Sequence, residues 1–191
     1  MSYIVNIQAY EILDSRGIPT LHTEVELENG VKGSASVPSG ASTGIHEALE
    51  LRDGDLKRFK GKGVLKNINT INSIIFDALA GIDIRNQRKI DNLLLKLDGT
   101  VNKKKLGANT LLSVSLASAK AGANYENKEL YRYLGGINSC QLPIPLVNII
   151  NGGAHANNNL DIQEYMIAPV GASSFKEAIR WCSEIFHNLK D

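Results

Sequence analysis

Cysteine is nearly absent: the 191 residues hold only Cys140 and Cys182. They lie far apart and in no metal-ligand or redox spacing, which excludes a zinc-finger or thioredoxin-like motif and a disulfide framework. Both read as buried thiols in a reducing compartment. An excess of charge is missing too. Lys and Arg number 21 against 20 Asp and Glu, a formal charge of +1, so nothing electrostatic points to nucleic acid or an anionic membrane as partner. No apolar run approaches the roughly 20 residues that span a bilayer. The first residues, Met1-Ser-Tyr-Ile-Val-Asn-Ile-Gln8, lack the basic opening and long apolar core of a signal peptide. The expectation is a cytoplasmic protein. A Lys after Gly44 is also missing, which rules out a phosphate-binding P-loop over residues 39–44.

What is present is ordinary globular material, 43% hydrophobic and 21% charged, long enough to bury a sizeable core. Residues 3–13 read as a strand. Residues 21–28 alternate, with Leu21, Thr23, Val25 and Leu27 on one face and His22, Glu24, Glu26 and Glu28 on the other. Asn29-Gly30 is a strong hairpin signal, and residues 31–37 alternate again, which predicts an antiparallel meander with one wet face. Residues 38–44 are all small or turn-forming, a plain linker or a lid beside a cleft. Helical spacing then predicts helices over 64–79, 90–97, 109–123 and 130–134. Strands followed by helices make an α+β domain. Gln141-Leu-Pro143-Ile-Pro145 reads as an extended connector, because two prolines in three residues cannot continue a helix.

Beyond it, two apolar runs, 146–150 and 162–168, predict buried strands joined by a loop rich in Gly and Asn. A helix follows from about Ser174, where Ser174-Phe-Lys-Glu177 fits a capping box. His155 lies in the loop, and Gln163 and Glu164 on the second strand. An imidazole, a carboxamide and a carboxylate gathered at the mouth of a sheet form a candidate ligand site. The alternatives are bland ones. A loop His is often simply exposed or capping a turn, and strand alternation could turn Glu164 to solvent. A carboxylate in an apolar strand otherwise needs a partner, because desolvating the charge is costly.

Several blocks together resemble the enolase family: Ile12-Leu-Asp-Ser-Arg-Gly17, Ser39-Gly-Ala-Ser-Thr-Gly44 with His46-Glu-Ala-Leu-Glu-Leu-Arg-Asp53, Gly107-Ala-Asn109, Leu142-Pro-Ile-Pro145, Asn151-Gly-Gly153 with His155, and Gln163-Glu164 with Met166-Ile-Ala-Pro169. They run in family order along the whole chain. The resemblance implies an enolase N-terminal α+β domain over residues 1–138 and, over 139–191, the truncated start of an α/β barrel, two strands and a helix. It implies a lyase of glycolysis, phosphopyruvate hydratase, which interconverts 2-phosphoglycerate and phosphoenolpyruvate with Mg2+ and acts as a homodimer. By resemblance Ser42 would ligate the second magnesium from a lid and touch substrate. His155 would meet the phosphate or hydroxyl side of the substrate, and Gln163 and Glu164 would line the pocket, Glu164 toward the leaving hydroxyl. His46, on a helix after the lid, would be a pocket or lid contact. The family's general base, proton donor and first-magnesium carboxylates are expected beyond Asp191, so the 191-residue chain alone is expected to be inactive. The alternative is a non-catalytic truncated enolase that acts only as a folding or binding module. Ile18 stands where enolases usually carry Asn, and Asn157-Asn-Asn159 replaces a more Gly-rich run.

Overall fold

The structure, a computed structural model, describes residues 1–40 and 44–190. Ser42 lies outside the described residues. The chain divides into two compact units, one of Met1–Ser39 with Gly44–Ser139 and a second that takes in the chain from Cys140 onward.

Three strands open the first unit: β1 (Ile4–Leu13), β2 (Pro19–Leu27) and β3 (Lys32–Ser36), in an antiparallel meander of that order. The predicted alternation sets which side of the sheet is dry. Leu21, Thr23, Val25 and Leu27 are buried, while His22, Glu24 and Glu26 remain half-exposed. Asn29-Gly30 makes the hairpin turn, with Gly30 at φ 80° and its amide donating to the Leu27 carbonyl at 2.8 Å. The outer edge of β1 is covered, as an edge must be if it is not to recruit another chain. The Ala9 amide donates to Asn72 Oδ1 at 2.7 Å, and the Ile4 amide to the Ile82 carbonyl at 3.0 Å.

Helices α1 (Leu65–Thr70), α2 (Phe76–Leu79), α3 (Gln87–Asp98), α4 (Ala108–Tyr125) and α5 (Leu130–Gly135) follow. The single helix expected over 64–79 is interrupted between α1 and α2. Residues Ile71–Ile75 form a π turn in which the Phe76 amide reaches back to the Ile71 carbonyl. Such a turn carries one extra residue. Ile71, Ile75 and Leu79 stay in the core, but Leu65, expected on the buried stripe, is exposed. Helix α4 is buried almost all round, and its small residues let β3 approach closely. A Cβ on Gly33 would lie 2.0 Å from the Ala121 nitrogen. Burying Thr23 and Ser113 is tolerated because the Thr23 hydroxyl donates to Ser113 Oγ at 2.9 Å, which in turn donates to the Thr110 carbonyl.

In the second unit β4 (Val147–Asn151) and β5 (Glu164–Ile167) pair antiparallel, and α6 (Phe175–Lys190) follows. The Ser174 Oγ accepts from the Glu177 amide at 3.2 Å, so half of the expected capping box forms. The Glu177 carboxylate instead binds Arg180 and Trp181. One expectation is corrected here: the strands are not buried. Ile150, Tyr165 and Met166 are exposed, as are Ile179, Ile185, Phe186 and Leu189 of the apolar stripe of α6. Two strands and one helix offer too little surface to cover one another. No helix of the described residues is long and apolar enough to cross a membrane.

Candidate functional site

The loop after β4 is shaped by backbone contacts that only small or amide-bearing residues allow. The Gly152 amide donates to the Gln163 carbonyl at 2.9 Å and the Gly153 amide to the Leu160 carbonyl at 2.7 Å, which folds residues 152–163 back on themselves. A Cβ on Gly152 would stand 2.4 Å from the Ile162 carbonyl oxygen. Gly153 adopts φ 51°, in the left-handed region. Asn158, in the run that departs from the family pattern, closes the loop: its Nδ2 donates to the Asn151 carbonyl at 2.9 Å, and its Oδ1 accepts from the Leu160 amide at 3.1 Å. The signal in this run is the capacity of Asn side chains to bond nearby backbone.

This fold brings His155, Gln163 and Glu164 together. His155 ends a short 3₁₀ turn, Gly153–His155. Glu164 opens β5 opposite Asn151. Gln163 sits one residue ahead of β5 rather than within it. The imidazole is held on both sides, with Nδ1 3.0 Å from Glu164 Oε1 and Nε2 2.7 Å from Gln163 Nε2. An amide nitrogen can only donate, so Nε2 of the ring is the acceptor and Nδ1 carries the proton toward Glu164. The His155 and Glu164 side chains keep 21% and 31% of their exposure, so the pair is sheltered and yet reachable by a solute. Glu164 turns its carboxylate to the His155 ring while staying partly open to solvent. A carboxylate that fixes the tautomer and orientation of an imidazole equips it to bind a polar ligand and to hold or pass a proton.

His46 belongs to the first unit and sits, exposed, on a turn closed by the Glu47 amide donating to the Gly44 carbonyl at 3.1 Å. The expected helix after residue 44 is absent. Residues 48–55 run without helix or strand, because their backbone groups are engaged by α4 and neighbouring loops instead of by one another.

Among the described residues no group of three or more His, Cys, Asp or Glu side chains is placed to hold a metal ion. Glu164 offers magnesium a hard oxygen, but one carboxylate paired with an imidazole is no magnesium cage. These residues do not fit a complete metal site, and no step through a metal is derived from them.

Comparison with known families gives two matches that together span nearly the whole chain. Residues 4–134 match the model described as "Enolase, N-terminal domain", and residues 139–191 match "Enolase, C-terminal TIM barrel domain". The meander, the helices packed on it and the β4–β5 pair with α6 agree with that order of domains, and on these grounds the chain belongs to the enolase family.

Proposed function

We propose that this protein serves the enolase reaction, the Mg2+-dependent interconversion of 2-phosphoglycerate and phosphoenolpyruvate in glycolysis and gluconeogenesis. The observation that carries the reading is the imidazole of His155 gripped between Glu164 and Gln163 inside the segment matching the enolase barrel domain. The reaction removes a proton from carbon 2 and hydroxide from carbon 3, so a group that protonates the departing oxygen lowers the barrier. Glu164 faces the leaving hydroxyl in this reading, and Gln163 lines the pocket beside it. His155 meets the phosphate or hydroxyl side of the substrate, its ring held in place by the carboxylate. Ser42 would offer an oxygen to a magnesium ion and touch substrate, and His46 would be a lesser pocket contact.

Residues 1–138 act as the N-terminal domain and 139–191 as part of the barrel, in a cytoplasmic homodimer. A polypeptide of residues 1–191 by itself is expected to be inactive, since two strands and one helix are a small part of an eight-stranded barrel. The test is an assay of the protein expressed from its whole reading frame. Magnesium-dependent formation of phosphoenolpyruvate supports the reading, and its absence from a folded, magnesium-loaded preparation refutes it.

A further inference from the structure

β3 is the last strand of the meander, so among the described residues one of its edges has no strand beside it. The ladder fixes which backbone groups face that way. The Val37 amide donates to the Leu21 carbonyl at 3.1 Å, and the Leu27 amide to the Val31 carbonyl at 2.9 Å. In an antiparallel pair the bonded positions alternate along the strand. Gly33 and Ala35 therefore turn their backbone groups to β2, and Lys32, Ser34 and Ser36 turn theirs outward. The Lys32 carbonyl is answered by Asn124 Nδ2 at 2.7 Å. Among the described residues no protein group bonds the amides or carbonyls of Ser34 and Ser36, and the β2–β3 register runs through them without a bulge. The edge of β1, by contrast, is covered by Asn72 and Ile82.

A pocket of about 420 Å³ adjoins Ser34, lined by β3 and by the second half of α4. Ala123 and Leu130 give it apolar surface, and Lys120 and Asn124 give it polar groups. Lys120 lies one helical turn before Asn124 on the same face of α4 and is exposed. Lys32 and Lys128 also line the pocket, but they are paired with Glu24 at 3.0 Å and with Glu126 at 2.6 Å. Lys120 has no ion pair among the described residues. Glu129 lines the same pocket, likewise without an ion pair, so a single acidic group suits it better than a run of them.

We propose that the open edge of β3 is a docking site for an extended acidic segment of another protein, which adds a further strand to the meander. The amides and carbonyls of Ser34 and Ser36 supply the ladder, as in other cases of strand addition. Side chains alternate across a strand, so a neighbour of the residue that pairs with Ser34 points toward α4. A carboxylate at that position meets the Lys120 ammonium. The site is short. Pro38, the next outward-facing position, has no amide to donate, and at the other end the Lys32 carbonyl is already taken. A second copy of β3 is a poorer occupant, because Lys32-Gly-Ser-Ala-Ser36 holds no acid to offer Lys120.

The test uses the protein from its whole reading frame and a synthetic probe, a short peptide of alternating Thr and Val with one central Glu. A control peptide carries Lys in place of the Glu. With the probe at about ten times its Kd, hydrogen exchange of the Ser34 and Ser36 amides should slow about tenfold. The Gly33 and Ala35 amides, already bonded to β2, should keep their rates. Lys120→Glu, a change to an exposed side chain, should weaken the probe about fivefold or more and reverse the preference between the two peptides. Ser34→Pro, which removes one open amide, should abolish binding; should it fail to fold, Lys120→Glu decides. Unchanged exchange at Ser34 and Ser36, equal binding of probe and control, or wild-type affinity in Lys120→Glu would each overturn the proposal. So would protection of these amides without any probe, whether it rises with protein concentration, the mark of a second copy, or does not, the mark of cover by the rest of the protein.

Discussion

Nδ1 of His155 and Oε1 of Glu164 stand 3.0 Å apart, with Gln163 Nε2 on the far side of the ring at 2.7 Å. This sandwich favours the neutral tautomer protonated at Nδ1, with Nε2 accepting from Gln163. Nitrogen-15 shifts of His155 at a pH where the ring is neutral should therefore show a protonated Nδ1. Gln163→Leu removes the donor to Nε2 but leaves Glu164 to hold the Nδ1 proton, so the tautomer should persist while the Nε2 shift moves. Identical spectra in both proteins would contradict the arrangement.

Gly152 is where the loop that carries His155 is tightest. Its own φ of −144° is available to any residue, so the cost of a side chain there is steric alone. Gly152→Ala places a methyl 2.4 Å from the Ile162 carbonyl and 2.7 Å from Leu160 Cβ, which forces residues 160–163 outward. The expected outcome is loss of the His155–Glu164 contact, read as a changed His155 nitrogen spectrum, with the melting of the first unit unaltered.

Gly33 plays the corresponding part in the first unit. A Cβ there would lie 2.0 Å from the Ala121 nitrogen and 2.6 Å from the Ala117 carbonyl. Both neighbours are helix backbone and cannot move aside locally. Gly33→Ala should destabilise by about 1–3 kcal/mol, the usual cost of overpacking a core. Denaturant titration of the first unit measures it, and a wild-type midpoint would show that β3 and α4 do not approach this closely.

Acid should weaken the first unit through two carboxylates. Arg58 binds the Glu11 carboxylate, which also accepts from the Val64 amide, and its pKa is held below the ordinary 4.5 against the opposing effect of burial. Burial pushes Asp98 upward, but bonds from Thr100 and from the Leu106 amide outweigh it and hold its pKa below 3.8. A carboxylate with a depressed folded-state pKa contributes stability above its unfolded value and loses it as pH falls through the folded one. Stability should thus be flat above about pH 5 and decline below about pH 4. Glu11→Gln should flatten part of that decline while lowering stability at neutral pH, as equilibrium unfolding between these pH values would show.

Local patterns carried much of this architecture. The period-2 face of β2, the Asn29-Gly30 turn and the apolar faces of α3 and α4 are properties of neighbouring residues, so they could be read directly. Long-range satisfaction of backbone groups could not. The amides of Leu65 and Lys66 at the start of α1 are capped by Asp53, and that of Val64 by Glu11; nothing local announces partners that far away. The π turn escaped for a similar reason, since Ile71, Ile75 and Leu79 keep helical spacing while Asn72 is engaged by β1. At the site, residue types pointed to His155, Gln163 and Glu164, but that the imidazole bridges the other two depended on the folding back of residues 152–163. The exposure of β4 and β5 was missed because an apolar run signals what can be buried, not what covers it.

The most direct measurement is the turnover of 2-phosphoglycerate by the protein from its whole reading frame, wild type beside Glu164→Gln. The account predicts magnesium-dependent formation of phosphoenolpyruvate by the wild type. The variant should fall by about 10²–10⁴-fold in kcat, the contribution of a positioned acid or base, at an unchanged melting temperature. A variant that keeps the wild-type rate would contradict it.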